Sequence, residues 1–267
     1  MKEYKFDVAE QTEKCIAWIR DFFNKNGNAS TRAVIGISGG KDSTVTAALL
    51  VKALGPSRVI GIMLPCGNQV DIADSKKVID NLGIDSYEIN IGPAYDALTE
   101  QMRVVSKNGE AFPNDGYSTN TPARLRMTTL YGVGAILGNC RVANTGNLSE
   151  GVSFYYTIFG DHAGDFAPIE LFTTEEVMAI GDYLGLPYEL VHKKPSDGMS
   201  LKDDGTLKGD EEKLGYSYEE VNRLIRLGDE AVPNFEKIMK QHNGSKFKEY
   251  LIHFPHYEPN LPNWFLK

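Results

Sequence analysis

The chain has 267 residues, 42% hydrophobic and 24% charged, a length at which roughly three quarters of the unfolded surface is buried on folding. A formal net charge of −8 supplies no general basic field for a polyanion, which weighs against nucleic acid as the main partner. Cys15, Cys66 and Cys140 form no C-x-x-C pair, the N-terminus lacks an apolar signal core, and no apolar run approaches a membrane span. The expectation is a cytoplasmic protein with reduced thiols.

Val8, Cys15, Ile16, Ile19, Phe22 and Phe23 recur at helical spacing, and Asn26-Gly27-Asn28 ends that helix. Ala33 to Ile37 is a short apolar run, the pattern of a strand buried on both faces. After a glycine loop, Val45, Ala48, Leu49 and Ala53 predict a helix closed by Gly55-Pro56. Val59 to Leu64 predicts a second strand, Asp71 to Leu82 a helix stopped at Gly83, and Ser86 to Ile91 a third strand. Pro122 is read as the first residue of a helix running to Leu137, and Arg141 to Asn144 as a fourth strand.

Thr173 with Glu176 and Ser217 with Glu220 have the spacing of capping boxes. Between them, Lys193 to Gly215 reads as a long polar loop of the functional kind. Phe254 to Pro262 reads as a tail lying on the surface. Alternating strands and helices predict a doubly wound α/β fold, a parallel sheet with helices on both faces. With no repeat or flexible linker, residues 1–267 are read as a single domain with a C-terminal helical and loop extension.

The chemistry concentrates in Gly36-Ile37-Ser38-Gly39-Gly40-Lys41-Asp42-Ser43, between a buried strand and a helix. Glycines let backbone amides approach an anion, and the helix aims its positive end at it. Asp42 would repel a phosphate unless Mg²⁺ sat between them, since hard cations take carboxylate and phosphate oxygens together. The string is not a Walker A loop, because Asp42 separates the lysine from Ser43, and no G-x-G-x-x-G is present. A plain strand-to-helix turn with a polar cap is the bland alternative.

This string resembles the signature of the pyrophosphatase-loop ATP enzymes, a Rossmann-like group that attaches AMP to a substrate oxygen. More of the chain is similar to the ammonia-dependent NAD synthetases, in order from about residue 14 to 226. Pro122-Ala123-Arg124-Leu125-Arg126-Met127 looks like that family's basic helix start. Val142 to Glu150 resembles its strand-and-loop segment, Phe159 to Asp165 its Y-G-D-x-x-x-D string, and Lys193-Lys194-Pro195-Ser196 with Asp210-Glu211 and Leu214-Gly215 its active-site stretch.

The resemblance implies that the whole loop from Gly36 to Ser43, with Thr145, Thr174 and Ser196, binds ATP, and that Asp42 and Glu150 hold Mg²⁺. It implies that Arg124, Asp165 and the positions of Ile158, Phe247 and Lys248 face the substrate, deamido-NAD. Lys41, Asp42 and Asp165 are the implied catalytic residues, with Asp165 acting on ammonium. Three positions depart from the family: it carries a basic residue where Ile158 and Thr174 stand, and a His-Lys pair where Phe247-Lys248 stands. No glutaminase domain is read in the chain, so free ammonia is the expected nitrogen donor, and a homodimer is implied. Two rivals stand beside this reading: another adenylating enzyme, acting on a different carboxylate or on tRNA, and a nucleotide-binding protein without catalysis.

Overall fold

The structure is a computed structural model that describes residues 4–69, 71–105, 115–194, 196–201, 207–249 and 255–266. Helix α1 (Val8–Lys25) precedes strand β1 (Arg32–Gly36), α2 (Lys41–Leu54), β2 (Val59–Met63), α3 (Ile72–Leu82), β3 (Asp85–Glu88) and α4 (Gly92–Met102). Then come α5 (Asp115–Leu137), β4 (Cys140–Val142), α6 (Leu148–Ser153), α7 (Thr174–Tyr183), α8 (Tyr188–Val191), β5 (Ser196–Leu201) and β6 (Leu207–Gly209). Helices α9 (Asp210–Leu214), α10 (Tyr218–Leu227) and α11 (Phe235–Ser245) follow, before the tail at 255–266.

The sheet order is β3-β2-β1-β4 with every pairing parallel. The expected doubly wound α/β fold is therefore present. Ala33, Val34 and Ile35 of β1 are fully buried, as a strand covered on both faces requires. One face packs against α1, α2 and α7 through Ile19, Phe23, Leu49, Ile180 and their neighbours. The other packs against α5 through Val34, Ile62, Met127 and Leu130. A separate cluster of Val221, Leu224, Ile225 and Ile238 ties α6 to α10 and α11. Arg226 locks this unit to α7: its guanidinium forks onto both oxygens of Glu176 at 2.7 Å, with both side chains buried.

Strand order reverses at β1. The chain runs outward through β2 and β3, then returns to place β4 on the other side of β1. Ligands of open α/β sheets sit at such a switch point, beyond the carboxyl ends of the strands. Beyond β4 the chain doubles back, so that Asp165 N donates to Val142 O and Asn144 N donates to Phe166 O.

Several expected boundaries move. Helix α5 begins at Asp115, leaving Pro122 inside it. An interior proline forfeits one backbone bond, and the roughly two turns before it are held by Thr99 against the Tyr117 hydroxyl at 3.0 Å and by Thr157 donating to Asn120. The stretch expected to be one long loop contains the antiparallel pair β5 and β6 and the short helix α9. Strand β3 ends at Glu88, although Ile89 and Ile91 still donate to the carbonyls of Met63 and Pro65. The tail is anchored more deeply than a surface strap. Tyr257 is buried, donates to Gln11 at 2.8 Å and joins the main core. Both expected capping boxes form, and all three cysteines are free thiols. Among the described residues no helix is long and apolar enough to cross a membrane.

Candidate active site

The loop after β1 reaches Gly40, which caps α2 in an extended conformation with no side-chain hydrogen bond to the helix. The first-turn amides of α2 are therefore left for another acceptor. Ser38 and Ser43 tie the loop together: their hydroxyls lie 3.1 Å apart, and Ser43 Oγ donates to Gly40 O. Gly39 has φ +77°, and a Cβ there would stand 2.7 Å from Asp74 Cβ and Ser75 N of α3. The loop thus needs glycine for its backbone conformation and for the close pass of α3.

Across the switch point, Asn147 caps α6 with Glu150 as the reciprocal member of a capping box. Asn147 Nδ2 also donates to Asp42 Oδ1 at 3.0 Å. The β1 and β4 loops are therefore joined by a direct bond between their polar side chains. Glu150 serves both as helix cap and as cavity wall. Burial, reinforced by the charge of Asp42, pushes its carboxyl up to about 8. Lys41 is buried and donates to Asp42 Oδ2 at 2.8 Å. Burial alone would lower its pKa, but the carboxylates of Asp42, Glu150 and Asp210 together raise it above the ordinary lysine value. Asp210, the first residue of α9, completes an acidic wall around one ammonium.

These groups open into a cavity of about 840 Å³. Of the residues expected at the site, Gly36, Ile37, Ser38, Gly40, Lys41, Asp42, Ser43, Thr145, Glu150 and Lys248 line it. Gly39 supports the loop from behind. Ser196 opens β5, and its side chain is outside the described set.

Other residues expected at the site stand apart from this cavity. Thr174 is buried away from the cavity, where its amide donates to Ser149 Oγ and its hydroxyl accepts from Asn222 Nδ2. Asp165 lies outside the cavity because it clamps β4: its oxygens accept from Val142 N at 2.7 Å and the Tyr131 hydroxyl at 3.1 Å. Arg124 is exposed and donates to Ile158 O at 3.1 Å, with Ile158 half-buried beside it, and Phe247 points to solvent at 64% exposure. None of these five lines the cavity.

Arg126, two residues beyond Arg124, lines the cavity, and its Nε donates to Leu64 O at 3.0 Å. Helical spacing carried that signal. Ala123, Arg126, Met127 and Leu130 share the face that meets the sheet, and Arg124 falls off it. Asp161, four residues before Asp165, does reach the cavity. It lies in the cavity wall, accepts from Thr157 N at 2.8 Å, and is raised above the usual carboxylate range by burial. Lys193, anchored at 2.8 and 2.9 Å to Asp71 and Asp74, reaches the rim.

A chain that leaves its helix amides uncapped and turns acids and an ammonium into one switch-point cavity is, by fold and chemistry, a phosphate-handling α/β enzyme. The NAD synthase family model matches residues 11–253, and the chain belongs to the NAD synthase family. An NH(3)-dependent NAD(+) synthetase from Carboxydothermus hydrogenoformans is 32% identical over 92% of this chain and 97% of its own length. Among solved structures, an NMN synthetase from Francisella tularensis is 31% identical with a TM-score of 0.81, covering 96% of this chain and 100% of that one. An NH3-dependent NAD synthetase from Campylobacter jejuni is 27% identical with a TM-score of 0.72, covering 93% and 99%. The chain is a ligase.

Proposed function

We propose that the protein amidates a nicotinate carboxylate with free ammonia at the expense of ATP, with deamido-NAD as the acceptor named by its relatives' product. The Francisella neighbour is named for NMN, so the two names share one chemistry, amide formation on nicotinate carried by a ribose phosphate. The carboxylate attacks the α-phosphorus of ATP, giving an acyl adenylate and pyrophosphate. Ammonia then adds to the acyl carbon, AMP departs and a proton is released. The uncapped start of α2 facing Asp42 and Glu150 in a single cavity carries this reading.

Each group of the chain has a task in it. The amides of the loop and α2 receive the phosphates of ATP and hold the departing pyrophosphate, where fixed dipoles offset charge at no cost of reorganisation. Lys41 balances the local acids, so Asp42 and Glu150 stay in place beside the anion. The donor set suits Mg²⁺: two carboxylates from separate loops leave room for phosphate and water oxygens. The Tyr218 hydroxyl, buried beside Glu150, Asp210 and Asp42 with no hydrogen-bond partner among the described residues, fits a hydrated ion. Mg²⁺ bound there would neutralise charge on the phosphates. The same reading carries a homodimer in the cytoplasm, and sedimentation at twice the 29.6 kDa chain mass checks the dimer.

The purified protein with ATP, Mg²⁺, ammonium and deamido-NAD is expected to yield NAD, AMP and pyrophosphate in equal amounts. ATP consumed only with another acid would point to a different adenylating enzyme, and ATP binding without turnover to a mere binder.

A further inference from the structure

We propose that Glu170 receives the ammonium ion and takes its proton, so that the nitrogen enters the reaction as ammonia. The inference rests on the amidation chemistry above and assigns a residue to its second step. Ammonia attacks through its lone pair, and ammonium, the form that prevails in neutral water, has none. One proton must therefore pass from nitrogen to a base beside the acyl adenylate. Asp165, the residue expected to act on ammonium, is held on the β4 backbone outside the cavity.

Glu170 reaches the cavity through the packing of the tail. Beyond β4, Phe166 pairs with Ala143 and Ala167 with His256, and a turn follows in which Phe172 N donates to Ile169 O at 3.0 Å. Ile169 and Phe172 enter the core, leaving Glu170 between them in the cavity wall. Its side chain keeps 24% exposure, enough for a small cation to reach it. Oε2 is buried and accepts no hydrogen bond among the described residues, a cost that a bound cation offsets.

The other carboxylates of the wall are engaged. Lys41 and Asn147 hold Asp42, Lys193 and Gln69 hold Asp71, and the Thr157 amide donates to Asp161. Glu150 caps α6, and Asp210 faces Lys41. Glu170 itself is faced by His256, 3.3 Å away on the tail with Glu258 behind it, and by Tyr156 after α6. Burial lifts its carboxyl to about 7, opposed only in part by His256, which suits a base working near neutral pH. In the step itself, the N–H electron pair stays on nitrogen as the proton moves to Glu170. That pair forms the C–N bond at the acyl carbon, a second N–H proton passes to water, and the C–O bond to AMP breaks with its electrons on the AMP oxygen. Glu170 then returns its proton to solvent.

Glu170→Gln keeps the size of the side chain and removes the base. Near neutral pH its kcat/KM for ammonium is expected about a hundredfold below wild type, the lower range of general base catalysis. Hydroxylamine, whose nitrogen is largely unprotonated at that pH, needs no such base, and the two proteins should use it within a few fold of each other. Exchange of pyrophosphate into ATP, driven by the acid alone, precedes the nitrogen step and should match as closely. In wild type, kcat/KM for total ammonium should climb to a plateau above about pH 7. The variant should go on climbing with free ammonia, so that its deficit shrinks at alkaline pH. Wild-type protein that turns over neither amine overturns the amidation reading itself. With wild type active, a variant that keeps its use of ammonium within a few fold, or that loses ammonium, hydroxylamine and exchange alike, overturns this inference and leaves the amidation reading standing.

Discussion

Replacing Gly39 with alanine tests the loop where conformation and packing meet. The residue sits at φ +77°, and an alanine held in the left-handed region costs roughly 1–2 kcal/mol. Its methyl would stand 2.7 Å from the Asp74 Cβ and the Ser75 amide. The α3 backbone must therefore move, a strain that in packed sites costs roughly 1–3 kcal/mol more. The variant is expected to lose about 3 kcal/mol in urea unfolding, or roughly 6–12 °C in Tm for a chain this size. Because the loop is displaced with α3, KM for ATP should rise as well. Gly40→Ala is the control: its Cβ would meet only Ser38 Oγ at 3.4 Å, so stability should change by less than about 1 kcal/mol. Its methyl still stands on the rim that the phosphates approach, and KM for ATP should rise. A Gly39→Ala protein within 0.5 kcal/mol of wild type, or a Gly40→Ala protein with unaltered KM for ATP, would refute this view of the loop.

Further outcomes follow from single contacts. Asp42→Asn removes a charge beside the phosphates while keeping an acceptor for Asn147, and should cut turnover about a hundredfold; a loss of only a few fold would take Asp42 out of the phosphate site. Arg226→Met strands the buried Glu176 carboxylate and should cost about 3–5 kcal/mol by chemical denaturation. Adding Glu176→Gln should restore much of that, and a double variant as weak as the single one would contradict a charge effect. Burial raises Glu170 to about 7 from an ordinary 4.5. His256, 3.3 Å away, opposes the rise only in part, and the unfolded chain ionises Glu170 first, so stability held below about pH 4.5 falls as pH climbs towards 7. Glu170→Gln should be more stable than wild type at pH 8 and should lack that fall between pH 5 and 7; parallel pH curves for the two proteins would refute it.

The fold was legible wherever one local pattern carried the whole signal. Ala33 to Ile37 could only be a strand covered on both faces, and the two capping boxes name their partners at fixed spacing. The phosphate loop belongs to the same kind, because its residues are adjacent in sequence and form one strand-to-helix turn. The rest of the cavity wall does not. Whether Asp161 or Asp165 faces the cavity depends on the return of residues 165–167 beside β4, where Phe166 enters the core and Asp165 must point the other way. Thr174 likewise occupies a motif position, yet its burial is set by Asn222, far along the chain. Arg126 lines the cavity because it shares the face of α5 that carries Met127 and Leu130, a periodicity legible in the sequence. Pro122 misled because its preference for a helix start is weaker than the packing that extends α5 upstream.

The most direct measurement is a crystal structure of the protein with a non-hydrolysable ATP and Mg²⁺. The β- and γ-phosphates are expected on the amides of Ser38 to Ser43, with the metal bridging them to Asp42 and Glu150. A triphosphate bound elsewhere, with that turn vacant, would contradict the account.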